Sequence, residues 1–124
     1  MSSPKRVLIA DDHVLFAEAL EAILGGDGRL DVIGRAKNGE EAVTLTRSLR
    51  PDVVLMDISM PVMDGIEATR QILDDEPGAC VLVLTGSDAA ADVDAARRAG
   101  AVGYVTKDRI AAELVEAILE ASGC

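Results

Sequence analysis

A doubly wound α/β fold is predicted by the alternation of two kinds of segment. Short apolar runs rich in Val, Ile and Leu occupy residues 7–10, 32–36, 53–56, 81–84 and 102–105. The runs are continuous rather than alternating, so both faces of each strand should be covered. Between them lie helix-length segments whose apolar residues recur at spacings of three and four. Strands that alternate with helices indicate a parallel sheet with right-handed crossovers and helices on both faces.

The helices and their boundaries have local signals of their own. The first and last helices are expected to bury apolar faces made of Leu15, Phe16, Ala19, Leu20, Ile23 and Leu24, and of Ile110, Leu114, Ala117, Ile118 and Ala121. Glycines 25, 26 and 28 end the first helix, Asn38-Gly39 begins the second, and Pro51 and Pro77-Gly78 precede strands. The fourth helix is Ala-rich, and we expect its shallow face of Ala89, Val93 and Ala96 to pack loosely.

Five strands suit the flavodoxin-like order 2-1-3-4-5, a (βα)5 arrangement. In this order the first and third strands are neighbours, and the crevice between their carboxyl ends is the place where open α/β sheets bind ligands. Any polar residue that directly follows one of these strands therefore becomes a candidate for the functional site.

Composition limits the classes of function. The chain has 124 residues, which predicts one domain over residues 1–124. Its formal net charge of −10 opposes the attraction to phosphates that non-specific nucleic-acid binding needs. We therefore expect no direct binding of DNA by this chain.

The two cysteines and the chain start indicate the compartment. With only Cys80 and Cys124, a disulfide framework is not expected and a reducing environment fits better. The apolar run after Met1 is too short for a signal peptide, and no stretch has the length of a membrane span. A cytoplasmic protein with no membrane contact is the expectation.

Acidic residues and a lysine mark the ends of three predicted strands. Asp11-Asp12 end the first run, Asp57 ends the third, and Lys107 follows the fifth. Carboxylates that converge repel one another, and a bound divalent cation removes that cost. Mg²⁺ is the expected ion because it takes oxygen ligands and is held by one or two carboxylates plus a phosphate.

The same groups can carry phosphoryl chemistry. Asp57 stands alone and is the candidate nucleophile, since carboxylates form aspartyl phosphates. The Lys107 ammonium and the Thr85 hydroxyl, at the end of the fourth strand, would meet the charge on the phosphoryl oxygens. Taken singly, Asp12 could cap a helix, Asp57 could form a turn, and Lys107 could be a solvated charge. Their joint placement at one sheet edge favours the functional reading.

His13, the one histidine of the chain, is interpreted differently. It has no partner nearby in the sequence, so polarity in the first turn of a helix is favoured over a role as metal ligand or base.

Longer motifs around these residues resemble the receiver domain of two-component response regulators, over the whole chain. Asp57 continues as Ile-Ser-Met-Pro-Val-Met-Asp-Gly, and the last strand reads Gly-Tyr-Val-Thr-Lys-Asp over residues 103–108. That ending, together with the Asp-Asp-His opening, is similar to the NarL/FixJ-type subfamily.

The resemblance implies a role for each site residue. Asp57 would accept a phosphoryl group, Asp12 would ligate Mg²⁺ directly, Asp11 would act through water, and the Ser59 carbonyl would be a further ligand. Thr85 and Lys107 would bind phosphoryl oxygens, and Tyr104 would be an aromatic switch that turns inward when Thr85 moves.

The resemblance also implies partners. A sensor histidine kinase would donate the phosphoryl group, the first and fifth helices would support a homodimer, and the output would be transcription. Members of the subfamily usually continue into a helix-turn-helix, which this sequence does not contain, so the chain is expected to be a receiver separated from its output domain or a stand-alone receiver. On this reading it is a switch and not a turnover enzyme.

Two other classes fit the sequence less well. An aspartyl-phosphate hydrolase of the haloacid-dehalogenase type would have a second acid at position 59, where this chain has Ser. A flavodoxin-like cofactor binder would need hydroxyls and glycines in the first loop, where this chain has Asp11-Asp12-His13.

Overall fold

The computed structural model describes residues 3–86 and 90–124. Five strands alternate with five α-helices: β1 Lys5–Ala10, α1 Val14–Gly25, β2 Leu30–Ala36, α2 Gly39–Leu49, β3 Val53–Asp57, α3 Gly65–Asp75, β4 Val81–Thr85, α4 Ala90–Ala99, β5 Gly103–Thr106 and α5 Ile110–Ala121. A short 3₁₀ helix, Lys107–Arg109, joins β5 to α5. The predicted alternation is confirmed.

All five strands are parallel and lie in the order β2-β1-β3-β4-β5, as predicted. The register pairs Ala10 with Met56 and Asp57 with Leu84. Because the strands run in one direction, the residues that follow Ala10, Met56 and Leu84 all emerge at one edge of the sheet. Asp11, Asp57 and Thr85 therefore lie at the carboxyl end of the sheet.

Helices cover both faces of the sheet. On one face α1 and α5 bury a cluster that includes Leu20, Leu24, Leu114 and Ile118. On the other face α2, α3 and α4 pack over a second cluster that includes Val54, Met56 and Ile72. Every residue of β3 and β4 is buried, which explains why these two runs show no polar alternation.

The inner face predicted for α1 is only partly right. Leu20 and Leu24 are buried as expected, but Leu15 is 81% exposed, and Ala19 and Ile23 are exposed as well. Ala17, which the prediction left out, takes a buried place. Leu15, Ala19 and Ile23 are four residues apart and form a neighbouring stripe on the solvent side of the helix.

The other helices agree better with the sequence. The last helix buries Ile110, Leu114, Ile118 and Ala121, while Ala117 is half-buried. The fourth helix buries two alanines, Ala96 and Ala99, among its described residues, and Val93 is half-buried. Its small side chains fit the predicted shallow packing, and Ala89 lies outside the described residues.

The two cysteines form a disulfide, contrary to the expectation of reduced thiols. Cys80 directly precedes β4, Cys124 follows the end of α5, and their Cα atoms are 6.1 Å apart. That separation is in the usual range for a disulfide. The bond links the amino end of β4 to the carboxyl end of α5, which is the end of the sheet opposite the site. A spacing of 44 residues gives no local signal for this pairing.

No helix in the described ranges has the length and apolar character needed to cross a membrane.

Breaking the disulfide should lower the free energy of unfolding. A cross-link of this spacing is worth about 2–4 kcal/mol, chiefly because it restricts the unfolded chain. In urea titrations without reductant, Cys124→Ser should be less stable than the parent by about that amount. A dithiol reductant should bring the parent down to the level of the variant and leave the variant unchanged. Equal stability of parent and variant without reductant would contradict the disulfide.

Candidate functional site

The ends of β1 and β3 place three carboxylates together, as the sequence predicts. Asp11 is 4% exposed and Asp57 is 1% exposed, so both carboxylates are almost fully removed from solvent. One oxygen from each of Asp11, Asp12 and Asp57, with one ring nitrogen of His13, forms a set of atoms that all lie within 4.8 Å of one another. The geometry is that of a cluster able to surround one ion.

The first loop fixes Asp11 and His13 against each other. The backbone N–H of Asp11 donates to the carbonyl of Ala36, which ends β2, over 2.9 Å. The backbone N–H of His13 donates to Asp11 Oδ1 over 2.8 Å. His13 Nδ1 lies 3.3 Å from Asp11 Oδ1 and 3.3 Å from Asp12 Oδ1. The ring is therefore at the rim of the acidic cluster.

Lys107, which directly follows β5, reaches the cluster from the β5–α5 connection. Its Nζ lies 3.3 Å from Asp57 Oδ1, so Asp57 and Lys107 lie together at the carboxyl end of the sheet as the sequence predicts. The same Nζ is 4.7 Å from the centroid of the Phe16 ring, a distance at which an ammonium is attracted to an aromatic face. Phe16 was predicted as a core residue, and its contact with Lys107 has no local signal in the sequence because it joins α1 to the β5–α5 connection.

The β3–α3 loop packs tightly against the end of β3, beside Asp57. The Ser59 N–H points to Asp57 Oδ1 at 3.5 Å, a weak contact. The N–H of Gly65 donates to the Ile58 carbonyl over 3.0 Å, and Asp64 caps α3 by accepting from Glu67 N–H. A side chain on Gly65 would overlap the Asp57 carbonyl oxygen, so only glycine allows this loop to fold so tightly against the strand end.

Two further predicted residues lie on β4 and β5. Thr85 ends β4, is buried, and pairs in register with Thr106. Tyr104 lies on the edge strand β5 and is 37% exposed. Thr106 directly precedes Lys107, and its buried hydroxyl has no hydrogen-bond partner among the described residues. Thr106 was not among the predicted site residues.

The cluster disfavours negative charge on Asp57. Burial raises the pKa of the Asp57 carboxyl most, and the nearby charge of Asp11 raises it further. Lys107 and the backbone N–H of Ser59 act in the opposite direction and lower this pKa, with the net result above the ordinary value. An additional positive charge in the cluster would favour the ionised carboxylate.

Three buried carboxylate oxygens support the presence of a cation site. Asp11 Oδ2, Asp12 Oδ1 and Asp57 Oδ2 make no hydrogen bond within the part of the chain that the structure describes, although the His13 ring nitrogen lies 3.3 Å from Asp12 Oδ1. Leaving such atoms unsatisfied is costly, and a hard divalent cation is a natural partner for carboxylate oxygens. An open pocket beside them, lined by Asp12, Ser59, Met60 and Asp92 among others, gives access from solvent.

Comparison with known sequences identifies the family. The sequence profile of the response regulator receiver domain matches residues 7–119. This chain belongs to the response regulator receiver family. It is 40% identical over 113 residues to the transcriptional regulatory protein DegU of Brevibacillus brevis, an alignment that covers 91% of this chain and 48% of that protein. The chain spans about half the length of the curated relatives that it matches.

Solved structures agree with the family and the fold. The receiver resembles the signal receiver domain of the putative response regulator NarL from Mycobacterium tuberculosis, with a TM-score of 0.93, 34% identity and coverage of 98% of both chains. It also resembles a chain in a CheX-CheY-BeF3-Mg complex from Borrelia burgdorferi, with a TM-score of 0.88, 29% identity and coverage of 94% of this chain and 88% of that one.

Replacing Gly65 should disturb the site through the backbone of Asp57. Gly65→Ala places a methyl group on the Asp57 carbonyl, and overpacking of this kind costs about 1–3 kcal/mol. We expect that loss in urea denaturation, with chemical-shift changes centred on Asp57 and Ser59. Gly28→Ala is the matched control, because a methyl group there meets nothing within 4 Å. An equal loss of stability in Gly65→Ala and Gly28→Ala would contradict the close packing of Gly65 against the Asp57 carbonyl.

The raised pKa of Asp57 predicts how stability varies with pH. Below the unfolded pKa of about 3.9 the carboxyl is protonated in both states. As pH rises through the higher folded pKa, burial of the ionised form reduces the free energy of unfolding. Asp57→Asn should therefore be more stable than the parent at pH 7, and the gain should shrink toward pH 4.

Urea titrations in EDTA at several pH values measure the difference in free energy of unfolding between Asp57→Asn and the parent. Asp31→Asn, at an exposed position of β2, is the control for the loss of one acid. A gain in Asp57→Asn that is constant with pH would contradict the assigned direction.

Proposed function

We propose that this receiver accepts a phosphoryl group on Asp57 in a Mg²⁺-dependent reaction and changes conformation to control an output. The observation that carries the proposal is the buried Asp57 carboxylate, which has Lys107 Nζ 3.3 Å from one oxygen and the Asp11–Asp12 pair beside it. A nucleophile, a fixed positive charge and a set of cation ligands thus converge at one sheet edge.

Asp11, Asp12, Asp57 and the Ser59 carbonyl are the groups that would hold the magnesium ion. Asp12 and Asp57 would bind it directly, and Asp11 would act through water. The unsatisfied oxygens of the three aspartates fit this assignment. When bound, the ion neutralises charge on the carboxylates and on the incoming phosphoryl group.

The transfer step needs little from the protein beyond position and charge. A carboxylate oxygen of Asp57 attacks phosphorus, the bond to the donor breaks, and an acyl phosphate remains on Asp57. The donor is a phosphohistidine of a sensor histidine kinase or a small acyl phosphate. Lys107 stays close to the transferred group, and the Thr85 hydroxyl binds one of its oxygens.

Phosphorylation would then change the contacts of the neighbouring loops. A dianionic group attracts Thr85 and Lys107 inward, and the movement of Thr85 makes room for Tyr104, which is partly exposed in the present state. Moving such an equilibrium from 1:99 to 99:1 requires about 5.5 kcal/mol of differential stabilisation. Charge-assisted hydrogen bonds to the phosphoryl group are of a strength suited to that task.

The proposed context is a cytoplasmic two-component system that regulates transcription. The similarity to DegU supports a transcriptional output, which would lie in another domain while residues 1–124 form the receiver. A homodimer through α1 and α5 is supported by the exposed stripe of Leu15, Ala19 and Ile23. The receiver itself would act as a switch, would not contact DNA, and would not turn over substrates.

Incubation with acetyl phosphate and Mg²⁺ tests the proposal. Intact-mass measurement should show one added phosphoryl group, which is absent in EDTA and absent in Asp57→Asn. Asp12→Asn should lower the yield at limiting Mg²⁺, because a cation ligand is lost. Asp31→Asn, which changes an acid far from the cluster, should behave like the parent.

An adduct that persists in Asp57→Asn would defeat the assignment of the acceptor. Steady hydrolysis of phosphoesters without a stable adduct would support the hydrolase reading instead.

A further inference from the structure

We propose that His13 supplies a nitrogen ligand to the acidic cluster and thereby strengthens the binding of divalent transition ions that favour imidazole, such as Cu²⁺, Ni²⁺ or Zn²⁺. The inference rests on the cation site of the proposed function but not on phosphoryl transfer. It replaces the earlier interpretation of His13 as a polar residue in the first turn of a helix.

The geometry of the ring supports this role. His13 Nδ1 lies 3.3 Å from an oxygen of Asp11 and 3.3 Å from an oxygen of Asp12, and the four candidate ligand atoms lie within 4.8 Å of one another. Ligands on opposite sides of one transition ion are separated by about 4.2 Å, given metal–ligand bonds near 2.1 Å. Small side-chain rotations would therefore let the ring nitrogen and the Asp12 and Asp57 oxygens reach a common ion, with Asp11 acting through water.

Neither helix capping nor core packing accounts for the His13 ring, whose side-chain hydrogen bond is to Asp11 Oδ1. His13 occupies the N-cap position of α1, yet within the described structure its side chain makes no capping hydrogen bond. Its side chain is 65% exposed, so it contributes little to the core and can turn without breaking packing. Its backbone is held by the bond to Asp11 Oδ1, which keeps the ring beside the carboxylates.

The buried oxygens point independently to a cation. Asp11 Oδ2 and Asp57 Oδ2 have no hydrogen-bond partner in the described ranges, although both residues are almost fully buried. Lys107 approaches Asp57 through Oδ1 and so leaves Oδ2 available. The His13 ring nitrogen lies beside Asp11 Oδ1 and Asp12 Oδ1, so it does not supply a partner for either of these Oδ2 atoms.

Ligand chemistry then sets the preference among ions. Mg²⁺ favours oxygen ligands and gains little from imidazole, whereas imidazole is a good ligand for Ni²⁺ and Zn²⁺. Three carboxylates with one imidazole thus form a mixed set that accepts both kinds of ion. His13 would strengthen binding of the transition ions selectively, and these ions would compete with Mg²⁺ for the same carboxylates.

Titration calorimetry of the metal-free protein with Ni²⁺ and with Mg²⁺ tests the selectivity. The chain should be free of any histidine tag and carry its disulfide, so that no other imidazole or thiol competes. His13→Asn should weaken Ni²⁺ binding by at least about tenfold, the smallest effect usual for loss of a supporting group at a metal site. Its Mg²⁺ affinity should change by less than about twofold, since Mg²⁺ favours oxygen over nitrogen.

Pulsed EPR of bound Cu²⁺, an ion that imidazole binds well, provides a second readout that does not depend on affinity. Because the chain contains one histidine, an imidazole nitrogen signal can arise from His13 alone, and it should vanish in His13→Asn. Asp12→Asn should weaken both Ni²⁺ and Mg²⁺, as expected for a shared ligand.

Two results would overturn the proposal. One is the absence of a nitrogen signal in the parent, and the other is an equal change of Ni²⁺ and Mg²⁺ affinity in His13→Asn. Failure of the phosphoryl-accepting function would instead appear as a missing adduct after incubation with acetyl phosphate and Mg²⁺. Neither the calorimetry nor the EPR measurement depends on that adduct.

Discussion

Repulsion among carboxylates that the fold holds together is the constraint on which the site depends. Asp11 and Asp57 are buried side by side because β1 and β3 are paired in a register that ends both strands at the same level. Two unit charges 4 Å apart cost about 4 kcal/mol at an effective dielectric of 20. The core covers both faces of the sheet, so these strands cannot separate to relieve the repulsion.

The surrounding groups relieve only part of that cost. Lys107 pairs with one oxygen of Asp57, and the ring of Phe16 helps to hold the ammonium there. The pKa of Asp57 nevertheless remains raised, because burial and the charge of Asp11 outweigh Lys107. The cluster is therefore electrostatically suited to a cation. A group that adds or removes charge there would change the electrostatic forces on the adjacent loops.

The sequence revealed the parts of this arrangement that depend on strand ends. Asp57 and Lys107 could be placed at one edge because buried parallel strands leave continuous apolar runs that end at a polar residue. The exposed stripe of Leu15 and Ile23 was missed because α1 carries apolar residues on two adjacent stripes, and periodicity alone does not say which faces the sheet. The Phe16–Lys107 contact and the Cys80–Cys124 bond join elements distant in sequence, so only the folded chain reveals them.

The two ends of the sheet are consequently restrained to different degrees. The disulfide ties β4 to α5 at the end remote from the acidic cluster, where it restrains both elements. At the cluster end, Lys107 lies in a short 3₁₀ helix, and the neighbouring α4 buries only alanines among its described residues. A new charge on Asp57 would act at the end of the sheet that the disulfide does not restrain, so we expect the response near Lys107 and the short 3₁₀ helix rather than at the cross-linked end.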